Sequence, residues 1–116
     1  MGGFFDEKEE YQHFFPNLVR LMGRFPNLYC DTSFIASMLY WRSFPRLLEE
    51  STVLERTVYA SDWPWPSNAL VFWNRLAPGK LLALCSEANL FERDYRLKQA
   101  LGLPVEAFER GAQLLA

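Results

Sequence analysis

The stretch Thr57-Val58-Tyr59-Ala60-Ser61-Asp62-Trp63-Pro64-Trp65-Pro66 decides how the chain is built. Its first part, Thr57 to Ala60, is β-branched and aromatic and reads as a short strand. Asp62 follows directly, in a turn stiffened by Pro64 and Pro66. The stretch is therefore a strand whose C-terminal end presents a carboxylate. In parallel α/β folds, functional side chains gather at that end. Asp62 is the first candidate for chemistry.

Working outward, a second unit of the same kind lies upstream. Leu28-Tyr29-Cys30 reads as a short buried strand and ends in Asp31-Thr32-Ser33. Thr32 or Ser33 is placed to cap a helix from near Phe34. Residues 34–50 are helical in character and divided by Pro45, with Arg46 to Glu50 the better-defined piece. Ser51-Thr52 breaks that helix, and Val53 to Arg56 bridges to Thr57. Strand, helix and strand with no hairpin signal imply a right-handed parallel crossover. Asp31 and Asp62 would then open on one face. Aspartate also forms turns and caps helices, so spacing alone leaves both readings open.

Residues 2–8 read as a loop. From about Glu10 the spacing turns helical, with Phe14, Leu18, Leu21, Met22 and Phe25 on one face. Pro16 is costly inside a helix, which moves the expected regular start to near Phe15 and leaves 6–14 as a surface loop or a loose turn. Past Asp62, Ser67 or Asn68 caps a helix to about Leu76. Ala77-Pro78-Gly79 is a turn, and Lys80 to Cys85 is helix rather than strand. Phe91 to Leu101 is amphipathic and Gly102 ends it, with Glu92-Arg93-Asp94 as solvated surface. Pro104 opens a last helix with Val105, Phe108, Ala112 and Leu115 inward.

Two strands do not make a stable buried parallel sheet alone. A closed (β/α)₈ barrel takes about 250 residues, and the chain has 116. The expected fold is helix-rich α/β: a partial TIM barrel made of the last two or so β/α units and the C-terminal helices. Residues 1–116 would be the C-terminal part of one such domain.

Half the residues are hydrophobic and 16% are aromatic, enough for a core and against disorder. So many rings in so short a chain imply that some cover a neighbour, a second copy or a missing segment. The net charge of −2 shows no basic patch, which argues against nucleic acid and anionic membranes as partners. No run of 18 apolar residues and no signal-peptide pattern is present, so a cytoplasmic location is the default. Cys30 and Cys85 have no CxxC partner and read as buried free thiols.

Three segments carry a family resemblance. Ser61-Asp62-Trp63-Pro64 resembles the Gly-Ser-Asp-aromatic-Pro turn of the amidohydrolase superfamily, in its amidohydrolase-related (ACMSD-like) branch of metal-dependent hydrolases and decarboxylases. Pro26-Asn27-Leu28-Tyr29-Cys30-Asp31-Thr32-Ser33 resembles that branch's Pro-Asn-aromatic-x-Asp-Thr-Ser strand. Phe108 to Leu115 resembles its closing helix, although the usual Asn beside Ala112 is missing. The resemblance implies a barrel with a divalent metal, commonly zinc, at its C-terminal mouth, and a small-molecule substrate. Asp62 matches the aspartate after the eighth strand, which binds the metal or takes a proton from its water. Asp31 matches a motif residue that is structural or stands one step behind the ligands. Trp63 and Trp65 either line a substrate pocket or pack the loop on neighbouring helices; Phe4 and Phe5 face the same choice.

The departures from the family are as informative. Its His-x-His pair and later strand-borne histidines are absent. The one histidine, His13, matches no ligand position. A catalytic zinc needs about three protein ligands. The expectation is a chain that begins just past a ligand strand, with Asp62 as a remnant, inactive alone and possessing no complete metal site. The alternative is a non-enzymatic oligomerisation or docking module.

Overall fold

The computed structural model describes residues 7–33, 41–61 and 67–116, with residues 7–14 as backbone only. In chain order the elements are α1 (Glu7–Arg24), β1 (Cys30–Asp31), α2 (Ser43–Glu49), α3 (Ser51–Leu54) and β2 (Thr57–Val58). A 3₁₀ turn (Ala69–Phe72) follows, then α4 (Pro78–Ser86), α5 (Leu90–Ala100) and α6 (Val105–Leu115). Among the described residues the fold is helix-rich α/β with a small two-stranded parallel sheet.

β1 and β2 pair in parallel, Cys30 against Thr57 and Asp31 against Val58, as the strand–helix–strand order requires. Both strands are shorter than expected. Leu28 and Tyr29 precede β1, and Tyr29 is exposed. Past Val58 the chain leaves the ladder for other partners. Tyr59 donates its N–H to the Ala107 carbonyl of α6 (2.9 Å). The crossover ends in α3 rather than an irregular bridge, and Val53 there is wholly buried.

α1 begins at Glu7 and runs through Pro16, so the late start near Phe15 is corrected. Pro16 donates no bond to the carbonyl four residues back, a defect worth roughly 3 kcal/mol. Burial of Phe15 and Met22, with Leu18 and Val19 packed on the core, offsets it. Phe25 lies past the helix end and is exposed rather than inward. The last carbonyls are gathered by Arg56, whose guanidinium donates to Met22, Phe25 (2.7 Å) and Leu28 (3.1 Å). A cation at this helix end also meets the negative pole of the helix dipole.

Of the segment that Pro45 was expected to divide, the part at 34–40 lies outside the described residues, and α2 begins only at Ser43, two residues before the proline. It sits in the first turn of α2, where backbone N–H groups lack intrahelical acceptors anyway. The helix expected from Phe34 lies outside the described residues. Phe44, Leu47 and Val53 join Phe72 and Leu97 in the core, and Phe44 and Trp41 meet Phe72 edge-on at 6.2 and 6.1 Å.

Downstream, Asn68 is the expected cap: its Oδ1 accepts from Leu70 N–H at 3.0 Å, but the turn it starts is 3₁₀. Lys80 to Cys85 is helical, inside α4, which Pro78 opens. Asn89 caps α5 through Phe91 and Glu92 N–H (3.0 and 3.2 Å). Gly102, at φ +107°, ends it; its N–H reaches Gln99 O and Leu103 N–H reaches Lys98 O, the paired bonds of a Schellman motif.

α6 presents a different face from the expected one. Ala107 is wholly buried and Phe108 partly so, while Val105, Ala112 and Leu115 are exposed. The reason is proximity to β2. A Cβ on Gly111 would lie 3.3 Å from Val58 Cγ1, so the contact face takes small residues. Arg110 on the same helix donates to the Leu54 and Thr57 carbonyls. Cys30 is half-buried, 3.3 Å from Thr57 Oγ1, whereas Cys85 is exposed, which corrects its assignment as a buried thiol. Among the described residues no helix is long and apolar enough to cross a membrane.

Candidate functional site

The candidate site lies where both strands end. At the end of β1, Asp31 is exposed and folds back on its own chain. Its Oδ1 accepts the Ser33 N–H (2.9 Å) and the Ser33 hydroxyl. This is an aspartate-closed turn. Thr32 turns the other way and is wholly buried. Its N–H continues the ladder to Val58 O (3.0 Å). Its Oγ1 donates to Ala60 O (3.1 Å) and accepts from Ala60 N–H (3.0 Å). One hydroxyl thus ties the end of β1 to the chain leaving β2.

A second tie comes from α5. Lys98 is fully buried, and its Nζ donates to the same Ala60 carbonyl at 2.7 Å. It also donates to Asp94 Oδ2 at 3.0 Å, one helical turn back. That carboxylate oxygen accepts the Tyr59 hydroxyl as well, at 3.0 Å. The ammonium stands 5.2 Å from the centre of the Tyr59 ring. Tyr59, Tyr95 and Phe108 pack as a trio, with centroids 4.5 to 5.5 Å apart, and hold α5 and α6 against the end of β2.

Burial shifts the titration of two groups in this cluster. Burial raises Asp94 above the usual carboxylate range, against the downward pull of Lys98. Burial, then the Asp94 carboxylate, pushes the Tyr59 phenol up, so it stays a hydrogen-bond donor. Asp94 was expected on the solvated face with Glu92 and Arg93; it is 4% exposed, which corrects that reading. The i,i+4 spacing of Asp94 and Lys98, straddling buried Leu97, was the available signal.

Chemically, this cluster is a clamp on the backbone rather than a reactive centre. Its charged groups are buried and mutually engaged. Of the sequence candidates, Asp31 stands at the end of β1. Asp62, Trp63 and Trp65 lie outside the described residues, whose stretch stops at Ser61. The shared opening of Asp31 and Asp62 is therefore not on view. His13 falls in α1. Among the described residues, no three His, Cys, Asp or Glu side chains come together to hold a metal ion. The described residues alone do not make up a zinc ligand set.

Compared with known proteins, residues 1–89 match the family model described as amidohydrolase. The matched range contains both strands and both acidic strand-end motifs, and it stops before α5. The closing helix and the Asp94–Lys98 pair lie beyond it. No curated protein and no solved structure matches the chain.

Proposed function

This chain belongs to the amidohydrolase family, and from that premise we propose that it carries the C-terminal strand-and-helix part of a metal-dependent hydrolase barrel. The observation that carries the reading is the parallel pairing of β1, which ends in Asp31, with β2, whose chain continues in sequence through Ser61 to the Ser-Asp-Trp-Pro motif at 61–64. Strand ends of that kind form the mouth of a (β/α)₈ barrel, where catalytic groups sit.

In this reading Asp62 is the metal-facing carboxylate or proton acceptor, and Trp63 and Trp65 wall the pocket of a small-molecule substrate. Asp31 supports the mouth through its turn. The motifs at 26–33 and 61–64 favour the ACMSD-like branch, which includes decarboxylases beside hydrolases. With only one histidine in the chain, the polypeptide alone is inactive. The purified chain, supplied with zinc or manganese, should turn over no ester, lactone or amide. Equimolar zinc binding abolished by Asp62→Ala would show a complete site and overturn that inactivity.

Exposed apolar side chains favour a second reading, self-association. Leu70 and Trp73, on and beside the 3₁₀ turn, and Leu82 on α4 are each more than half exposed. Sedimentation at rising concentration separates the two: a concentration-dependent mass supports association, and a constant monomer mass refutes it.

A further inference from the structure

We propose that Lys98, together with Thr32, is a positioning residue that sets the direction in which the chain leaves β2 towards Asp62. The inference deepens the reading of Asp62 given above and rests on it for its functional meaning. Its structural content rests only on described residues.

Three hydrogen bonds converge on one residue. Ala60 gives its N–H to Thr32 Oγ1 (3.0 Å), and its carbonyl takes the Thr32 hydroxyl (3.1 Å) and the Lys98 ammonium (2.7 Å). That carbonyl belongs to the peptide plane shared with Ser61, the residue before Asp62. Because a peptide is planar, fixing its oxygen fixes the orientation of the Ser61 nitrogen as well. Neither strand needs such a bond to exist: the ladder already has Cys30 N–H to Arg56 O and Thr32 N–H to Val58 O.

The cost of this arrangement argues that it is selected for placement. Burying an ammonium and a carboxylate is expensive, and apolar residues of similar size often serve stability as well or better. Here Lys98 is fully buried and donates to Asp94, which Tyr59 anchors in turn. The pair brings a charge-assisted donor, stronger than a neutral one, to a single backbone oxygen. Asp94 and Tyr59 thereby act through Lys98, and Thr32 brings β1 into the same clamp. A strand end held from both neighbours is the preorganisation that a carboxylate at a barrel mouth requires.

The test is amide hydrogen exchange by NMR on the full chain, comparing Ala60, whose N–H is held by Thr32 Oγ1, with Met22 and Val53 as distant references. In Lys98→Met, exchange at Ala60 should rise about tenfold relative to the references, as the clamp on its residue loosens. Lys98→Arg should restore much of the protection. A purely structural role would raise exchange at all three amides together. Thr32→Val, nearly isosteric, removes the acceptor itself and provides a second route if Lys98→Met does not fold, with a local rise expected. A folded Lys98→Met or Thr32→Val chain with unchanged Ala60 exchange relative to the references would overturn the proposal. Asp62→Asn should leave this amide unchanged. Failure of Asp62 in a turnover assay would thus remove the functional meaning while leaving the exchange result readable.

Discussion

Lys98→Met should be among the most damaging single changes in this chain, and the structure says by how much. Lys98 is 0% exposed and Asp94 4%, so the substitution leaves a carboxylate buried without its cation. Breaking a buried pair by removing one partner costs about 3–5 kcal/mol. Domains of this size have about 5–15 kcal/mol of stability in total. At roughly 4 °C or more per kcal/mol, the melting temperature should fall by about 12 °C or more. Tyr59 still donates to Asp94, and Asp94 can take up a proton, which places the loss towards the lower end. Asp94→Asn alone should also destabilise, since it leaves the ammonium without its anion. The double variant Asp94→Asn/Lys98→Met removes both charges, and its loss should be smaller than the sum by about 1–3 kcal/mol. Urea titrations of the four proteins, followed by circular dichroism, close the cycle. Additivity within about 0.5 kcal/mol would refute the claim that the two side chains act as one buried unit.

Other consequences follow from single contacts. Burial raises Asp94, so the native chain keeps that proton to a higher pH than the unfolded chain does. Stability should therefore fall as pH rises from about 4, the unfolded carboxylate value, to the raised value, and be flat above it. Thermal melts should show that fall in the wild type and its reduction in Asp94→Asn. Gly111→Leu should cost about 1–3 kcal/mol by overpacking, because even a Cβ there comes 3.3 Å from Val58 Cγ1; an unchanged denaturation midpoint would show that α6 shifts freely on β2. Gly102→Ala forces a side chain to φ +107° and should lose about 1 kcal/mol or more in the same titration.

Much of the architecture was legible because it depends on local chemistry. The parallel pairing of Cys30–Asp31 with Thr57–Val58 followed from strand–helix–strand order, Asn68 was one of two caps expected for its turn, and Gly102 marked the end of α5. What escaped was decided by tertiary contact. Pro16 argued for a late start to α1, yet burial of Phe15 and Met22 carries the helix through it. The inward face of α6 was misassigned because apolar spacing favoured Val105 and Leu115, whereas close approach to β2 selects Ala107 and Gly111. Asp94 looked like a solvated charge because periodicity cannot show that a Tyr hydroxyl and a buried Lys ammonium await it. At the candidate site, the motif around Asp31 led to a strand end and a turn, but the importance of Thr32 lay in a partner 28 positions away.

Asp62 is proposed as the strand-end carboxylate of an amidohydrolase site. The most direct measurement is steady-state turnover by a hybrid in which this chain replaces the corresponding C-terminal part of an active metal-dependent amidohydrolase. The account predicts metal-dependent turnover with Asp62 and a loss of about 10²-fold or more with Asp62→Asn. A folded hybrid that works equally well with Asn at that position would contradict it.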